Sequence, residues 1–306
     1  MLDELMYEFL EGLGLDRNNA EKLVKVPTPK LYNVYTIRQG RKGKKRQIEE
    51  PIPELKKIQQ SIIPLYEQFP LHSACMSRKG RNILDNAKAH KGFKHILRMD
   101  IKSCYQSIHR YHINNALNHL IHSRMTHETT IMLECLNFCF YGNYSEVMIL
   151  PTGAPTSPIL CNIALTLVDI DITLLLKGKG YTYTRYMDDL HISTKNTERQ
   201  WNLIDEVTSI LNTHDLTVNK KKTRWMTNSP DEKIIVTGVN IGNGSNLPRD
   251  FRRMLRVKLH NLAQNREDLD AETQGCLAYV KSIDEPRYHQ FLEYFERRKE
   301  HVELSE

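Results

Sequence analysis

The sequence predicts an α+β fold in which helices back an antiparallel sheet. Two runs rich in β-branched and aromatic residues, 181–185 and 190–194, enclose the four residues Tyr186-Met187-Asp188-Asp189. Such runs around a short segment indicate a strand, a tight turn and a second strand. Another strand is predicted at 93–101, where polar and apolar residues roughly alternate. Apolar residues at helical spacing fill most of the remaining chain, so helices should cover this sheet.

The N-terminal part is predicted to form short helices, a hairpin and a longer helix. Apolar residues between 2 and 24 have the spacing of two amphipathic helices, and Asp16 can cap the second. A hairpin should join 34–37 to 45–48, with six basic residues in its tip. Such tips are usually solvated, but flexible basic loops also neutralise phosphate well. A helix should begin at Pro53 and be limited by Pro64.

The central part is predicted to be mainly helical. Helical spacing recurs at 113–121, at 131–140 and at 201–211. Ser157-Pro158 should open a long helix that ends at the glycines 178 and 180. Its buried side is expected to consist of Ile159, Ile163, Leu167, Ile170 and Leu174.

A basic amphipathic helix is predicted near the C-terminus. Four arginines lie at spacings i, i+3, i+4 and i+7, and apolar residues occupy the opposite side. The arginines are Arg249, Arg252, Arg253 and Arg256, and the apolar residues are Phe251, Met254, Leu255, Leu259 and Leu262. One face should therefore pack on the helices expected around 276–280 and 288–295, and the other should offer guanidinium groups to a polyanion.

Charge and composition limit the class of protein. The 306 residues carry a formal net charge of +6 that is clustered along the chain, which favours a polyanionic partner. Charge alone does not separate nucleic acid from an acidic membrane surface. The sequence contains no run of about 18 apolar residues, and its first residues are acidic where a signal peptide would be basic. We therefore expect a cytoplasmic protein without a membrane partner, whose six cysteines are reduced.

The two adjacent aspartates of the hairpin predict a metal site. Asp188 and Asp189 would repel each other at a turn unless a cation lay there, although a solvated Asp-Asp turn is the commoner case. Asp100 lies inside an apolar strand and needs a partner, for which backbone amides are the alternative to a metal. If that strand lies beside the hairpin, three carboxylates can hold two ions roughly 3.5–4 Å apart for phosphoryl transfer. Mg²⁺ suits such hard oxygen ligands.

Several motifs occur in the order found in reverse transcriptases, and the sequence resembles that family over about residues 31 to 295. They are Asp100 with Tyr105 five positions later, the loop Leu150-Pro151-Thr152-Gly153-Ala154-Pro155-Thr156-Ser157-Pro158, Tyr186-Met187-Asp188-Asp189, Asn219-Lys220-Lys221-Lys222-Thr223 and Val236-Thr237-Gly238. The last of these and Asn86-Ala87-Lys88-Ala89-His90 resemble signatures of bacterial retron reverse transcriptases. Two positions depart from the family, because the loop usually carries Gln at Thr152 and bacterial relatives more often carry Ala at Met187.

The resemblance implies a right-hand polymerase with fingers, palm and thumb, whose antiparallel palm sheet is backed by helices. It divides the chain into N-terminal helices at 1–33, fingers at 34–92, a palm at 93–240 with a helical insertion at 113–150, and a helical thumb at 241–306. The implied activity is RNA-directed DNA synthesis.

The resemblance also implies a role for each matching residue. Asp100, Asp188 and Asp189 would hold two Mg²⁺ ions, aided by the Ile101 carbonyl, and Lys222 or Lys221 would protonate the leaving pyrophosphate. Nucleotide contacts are expected from Arg46, Tyr105, Thr152, Gly153 and Met187. Nucleic-acid contacts are expected from Arg78, Lys79, Arg81, Asn86, His90, Arg249, Arg252, Arg253 and Arg256. Asn86 and His90 could instead be a helix cap and a surface residue.

Retron likeness implies particular partners. They are deoxyribonucleotides, a dedicated non-coding RNA that serves as template and primes from the 2′-hydroxyl of a guanosine, its RNA-linked single-stranded DNA product (msDNA), and a separately encoded effector in anti-phage defence. One alternative is a reverse transcriptase of group II intron or abortive-infection type, against which the lack of an appended maturase or endonuclease region argues. The other is a scaffold that binds RNA and DNA and restrains a toxin, with polymerisation secondary.

Overall fold

In the part of the chain that the structure describes, helices alternate with three small antiparallel sheets. The computed structural model describes residues 4–304 except 13, 15, 40–42, 121–126, 143–147, 197, 230–233 and 242–246. In order, the elements are α1 (Glu4–Gly12), α2 (Arg17–Lys25), β1 (Tyr32–Gln39), β2 (Lys44–Pro51), α3 (Pro53–Glu67), α4 (Ile83–Ala89), β3 (His95–Asp100), α5 (Cys104–Ser107), α6 (Arg110–Leu120), α7 (His127–Cys135), α8 (Ser157–Ala164), α9 (Thr166–Leu176), β4 (Tyr181–Tyr186), β5 (Asp189–Thr194), α10 (Asn202–Thr213), β6 (Arg224–Thr227), β7 (Ile235–Val236), β8 (Val239–Asn240), α11 (Arg249–Gln264), α12 (Ala271–Ile283) and α13 (Glu285–Leu304).

The central sheet has four antiparallel strands in the order β4-β5-β3-β6. The predicted hairpin is confirmed, since β4 and β5 pair from Tyr186↔Asp189 onwards and leave Met187 and Asp188 as the turn. The predicted third strand is also confirmed, and it places Asp100 directly opposite Asp189. Because β3 lies between two strands, nearly all of its side chains are buried rather than alternately exposed.

The N-terminal hairpin of β1 and β2 is longer than expected, with eight paired positions. Part of its basic tip, at 40–42, lies outside the described residues. Asp16 caps α2 as predicted, because its side chain accepts a hydrogen bond from the Asn18 amide. The helix that begins at Pro53 does not end at Pro64 but continues to Glu67. Tyr66, in the last turn, is completely buried, and burial of such a side chain offsets much of the roughly 3 kcal/mol that an interior proline costs.

The long helix expected from Ser157 is two helices, α8 and α9, bent by 40° at Leu165. Leu174, which we expected on the buried side, is 61% exposed. The buried stripe of α9 instead runs through Val168, Asp169, Ile172 and Leu176. The periodicity missed this stripe because one of its members is a charged residue, which an apolar pattern excludes.

The C-terminal helices have their own hydrophobic core. Leu255 and Leu259 of α11 pack there with side chains of α12 and α13, as the amphipathic pattern predicted. On the other face, Arg249, Arg253 and Arg256 are exposed. Arg252 is half-buried, and its Nε has no hydrogen-bond partner within the described residues.

Length and apolar composition of the described helices bear on membrane crossing. None of them alone is long and apolar enough to cross a membrane, whereas the bent pair α8–α9 together has the length and the composition of a span.

Candidate active site

Asp100 lies at the end of β3 with both carboxylate oxygens engaged. It is 2% exposed and accepts hydrogen bonds from Asn219 Nδ2 at 2.9 Å and Lys222 Nζ at 2.5 Å. The backbone amide of Asn219 also donates to the backbone carbonyl oxygen of Asp100, at 2.8 Å. The lysine segment is thus fastened beside the strand, which places Lys222 next to the carboxylate. We expected a Lys near this site, but its direct pairing with Asp100 and the part of Asn219 were not foreseen.

Asp189 is held by an arginine of the neighbouring strand. Arg98 Nη2 donates to both Asp189 oxygens at 2.8 Å, and its Nε donates to one of them at 3.1 Å. Within the described residues, no three His, Cys, Asp or Glu side chains are grouped so that they could hold a metal ion. The expected convergence of three carboxylates on metal stays a prediction, since Asp189 lies opposite Asp100 in the sheet but has Arg98 as its ion-pair partner. Sequence reasoning missed Arg98, although its position two residues before Asp100 puts it on the same side of β3.

Asp188 occupies the turn between the two strands and is half-buried. Burial raises the pKa of its carboxyl group, and the negative charges of Asp100 and Asp189 raise that pKa further. Its backbone carbonyl accepts a hydrogen bond from the Ile101 amide at 3.0 Å. The carboxylates thus crowd each other, which is the condition that favours a bound cation.

Asp100 and Asp188 face one large cleft, with a volume of about 1170 Å³. Arg46, Ile101, Tyr105, Met187 and Lys222 line the same space, together with Lys45, Lys102, Lys220 and Lys221. Burial raises the pKa of the Tyr105 hydroxyl, so the group stays protonated at neutral pH. The cleft therefore combines two carboxylates with a cationic wall, an arrangement suited to a metal-bound polyphosphate.

The loop residues Thr152 and Gly153 are not among the residues that line this cleft, contrary to expectation. Thr152 is 6% exposed, and its amide donates to Glu49 Oε2 at 2.7 Å. Gly153 has φ +149°, and a Cβ there would lie 2.8 Å from the Glu49 carbonyl oxygen. The loop is thus pressed against β2, and only glycine fits at this contact.

The hairpin turn is held by hydrogen bonds from residues that the sequence did not indicate. Met187 has φ 55°, a strained conformation for a residue with a side chain. Its amide donates to Ser77 Oγ at 2.9 Å, and its carbonyl oxygen accepts from Arg185 Nη1 at 3.0 Å. Asn162 Oδ1 links the two supports, accepting from Ser77 Oγ at 3.1 Å and from Arg185 Nη1 at 2.9 Å.

A fully buried ion pair anchors this support. Arg185 and Asp169 are both 0% exposed, and the guanidinium donates to both carboxylate oxygens at 2.7–3.1 Å. The Asp169 charge raises the pKa of Arg185, against the opposing effect of burial. Tyr183 also donates to Asp169, at 2.7 Å. The charge on Arg185 gave a weak sequence signal, since an arginine in a strand that packs against helices needs a partner.

Comparison with protein families identifies the class of enzyme. The family model described as reverse transcriptase (RNA-dependent DNA polymerase) matches residues 36–251, more than half of the chain. The chain belongs to the reverse transcriptase family. It is an RNA-directed DNA polymerase, and such enzymes generally use divalent metals.

Curated relatives of this reverse transcriptase come from bacteria. The Retron Ec86 reverse transcriptase of Escherichia coli is 26% identical over 87% of this chain and 81% of its own length. The Retron Mx162 and Mx65 enzymes of Myxococcus xanthus are 28% and 30% identical, over 87% and 80% of this chain. The present chain spans only 61% and 60% of their lengths.

Solved structures agree on the fold of the reverse transcriptase. A telomerase from Candida albicans, in complex with a fragment of telomeric RNA, superposes with a TM-score of 0.51 at 14% identity. The match covers 91% of this chain and 61% of that one. The predicted α+β reverse transcriptase architecture is thereby confirmed, whereas the boundaries of fingers, palm and thumb stay predictions.

A second cleft, of about 680 Å³, adjoins the other side of the turn in this reverse transcriptase. Arg78, Lys79 and Arg81 line it, as do Tyr186 and Met187 of the hairpin. Lys79 is paired with Glu67 at 2.7 Å, and Arg78 donates to the Leu71 carbonyl oxygen at 3.3 Å. The predicted basic loop thus reaches the active-site hairpin.

Asn86 and His90 are completely buried in the reverse transcriptase, and their expected contact with RNA stays a prediction. Thr184 Oγ1 donates its one hydrogen to Asn86 Oδ1 at 2.5 Å. His90 Nε2 lies 2.6 Å from the same hydroxyl oxygen and therefore donates to it. His90 Nδ1 then accepts from Ser193 Oγ at 2.8 Å. These polar groups are thus hydrogen-bonded inside the protein, and the alternative prediction that His90 is a surface residue is wrong.

Acid should destabilise the enzyme through two buried histidines. Burial lowers the pKa of His90 to about 3, with a smaller contribution from His191. Burial and the Arg98 charge lower the pKa of His191 to about 3. The unfolded chain therefore binds more protons below pH 6.5, so stability is complete above pH 6.5 and is lost as pH falls towards 3. We expect a loss of roughly 1.4 kcal/mol per pH unit for each histidine, measured by urea unfolding between pH 7.5 and 5.

Two variants test the source of this slope. His90→Gln keeps hydrogen-bonding capacity but cannot titrate, so its slope should be smaller than that of the parent by roughly 1.4 kcal/mol per pH unit. His289→Gln, on the exposed face of α13, should leave the slope unchanged. A parent-like slope in His90→Gln would refute the assignment.

Proposed function

We propose that this chain is a retron-type reverse transcriptase that copies a dedicated non-coding RNA into RNA-linked single-stranded DNA. The observation that carries the polymerase site is the single cleft shared by Asp100, Asp188, Arg46 and Lys222. The retron assignment is supported by similarity to the Retron Ec86 enzyme over 87% of the chain.

The carboxylates of the cleft fit divalent metal in the chemistry of their donors. Asp100 and Asp188 offer hard oxygen ligands, and Ile101, whose carbonyl would be a further ligand, lines the same cleft. We assign two Mg²⁺ ions to Asp100 and Asp188. Asp189 would be a further ligand if its carboxylate left Arg98 and bound metal. The ions would activate the primer hydroxyl and stabilise the charge of the leaving pyrophosphate.

The cationic residues of the cleft would bind the triphosphate of the nucleotide and donate a proton to the pyrophosphate. Lys222 donates to Asp100, and its Nζ would supply the proton that the leaving pyrophosphate takes up. Lys221 lines the same wall and is the alternative acid. Arg46, on the β1–β2 hairpin, would neutralise the phosphates, and the Tyr105 ring would block a ribose 2′-hydroxyl.

The nucleic-acid partners are assigned to two surfaces. The second cleft, with Arg78, Lys79 and Arg81, would hold the template next to the hairpin. The exposed arginines of α11 would grip the duplex by its phosphates. Since Asn86 and His90 are internal, they would act on the guanosine of the RNA only by shaping the palm.

The biological setting follows from the retron assignment. It comprises a cytoplasmic complex with the non-coding RNA and msDNA, and a separately encoded effector that acts in anti-phage defence.

The assignment is tested by expressing the chain with its neighbouring non-coding locus and analysing the nucleic acid that co-purifies. We expect single-stranded DNA that remains joined to RNA and shortens on ribonuclease treatment. Extension of an annealed primer without any RNA-linked DNA would refute the retron assignment and leave the polymerase. Bound RNA without synthesis in either assay would favour the scaffold function.

A further inference from the structure

The loop at 150–158 does not itself offer a polar side chain to the active-site cleft, but a neighbouring glutamine does. Gln106 follows Tyr105 in α5, is exposed and lines the cleft. Its amide Nε2 donates to Thr152 Oγ1 at 2.9 Å. Thr152 is 6% exposed, so Gln106 is the group presented at this point of the wall.

The acceptor of this hydrogen bond is held rigidly. The Thr152 amide donates to Glu49 Oε2 at 2.7 Å, and the Glu49 amide donates to the Thr152 carbonyl oxygen at 3.2 Å. Glu49 is 3% exposed and also accepts from Gln47 Nε2 at 3.0 Å. A hydroxyl fixed in this way orients the amide that it accepts from.

The chemistry of a carboxamide indicates what Gln106 can recognise. The group has two N–H donors and an oxygen acceptor, and Thr152 takes one donor. The other donor and the oxygen remain for a ligand in the cleft. Phosphates are matched by the cations on the wall, such as Arg46 and Lys222, whereas a neutral amide suits a sugar hydroxyl or a base edge.

We propose that Gln106, positioned by Thr152, binds the sugar or base edge of the incoming deoxyribonucleotide and sets its affinity. The assignment rests on the proposed nucleotide site in this cleft. Gln106 is a contact residue, and Thr152 is a positioning residue that acts through it.

Steady-state primer extension with each variant tests the proposal. Gln106→Ala should raise KM for the deoxyribonucleotide about three- to tenfold, the loss of one hydrogen bond, with kcat changed less than about twofold. Thr152→Val keeps the shape of the side chain and removes the acceptor, so its KM should rise in the same range. The double variant should match Gln106→Ala, because both changes remove one interaction. Gln60→Ala, an exposed position on α3, is the matched control and should behave as the parent.

Two results would overturn the proposal. A parent-like KM in Gln106→Ala would remove the contact, and a double variant whose effect is the product of the two single effects would remove the positioning by Thr152. If the parent extends primers and Gln106→Ala has the same KM, only the role of Gln106 is refuted, and the proposed nucleotide site stands. A parent that incorporates no deoxyribonucleotide refutes the proposed nucleotide site, and this inference with it.

Discussion

Asp188→Asn should reduce DNA synthesis with Mg²⁺ by at least about 1000-fold, because it removes the charge of a proposed metal ligand, which would stabilise the transition state by several kcal/mol. Binding of RNA should persist, since it depends on Lys and Arg side chains. The substitution should not destabilise the fold. The folded state raises the pKa of Asp188 through burial and the charges of Asp100 and Asp189, so a neutral side chain relieves repulsion.

Thermal unfolding with and without Mg²⁺ separates a catalytic effect from a folding effect. The ion should raise the melting temperature of the parent and do so much less in Asp188→Asn. Asp205→Asn, on the exposed side of α10, is the matched control and should retain parental synthesis. Undiminished primer extension by Asp188→Asn would end the metal-ligand assignment.

Asp169→Ala should have the largest effect on stability. It leaves the Arg185 guanidinium, which is 0% exposed, as a buried charge without its counter-ion. Breaking a buried pair in this way costs about 3–5 kcal/mol, which urea unfolding would measure. Primer extension should also fall, because Arg185 holds the Met187 carbonyl oxygen at 3.0 Å.

A double variant separates the two consequences. Asp169→Leu with Arg185→Met replaces the pair by apolar side chains of similar size, which often restores stability. The strained Met187 would still lack its donor, so synthesis should stay low. Parental activity in a stable double variant would show that the turn needs no support from Arg185.

The fold was largely predictable because local patterns carry it. Alternation and β-branched residues located β3, β4 and β5, and a proline and an aspartate marked the starts of α3 and α2. The errors came where burial of particular side chains overrode a local rule. Pro64 lies inside α3, and the stripe of α9 includes the charged Asp169.

The site was predictable in its motif residues and not in their partners. Asp100 and Asp188 face the cleft together, as expected from the two strands. Arg98, Asn219 and Gln106 were missed, because a hydrogen bond such as Gln106 to Thr152 joins residues 46 positions apart. No periodicity records a contact of that separation.

The sequence by itself determined the class of this protein, since strand patterns and ordered motifs are properties of neighbouring residues. It placed two adjacent carboxylates on a hairpin and a third on another strand. Only the tertiary structure decided that Arg98 holds Asp189 while Asp188 faces the cleft. It also decided that His90 is buried, with Thr184 of β4 and Ser193 of β5 as its hydrogen-bond partners. The physical reason is that burial and ion pairing depend on which distant side chains meet, and these contacts form only when the chain is folded.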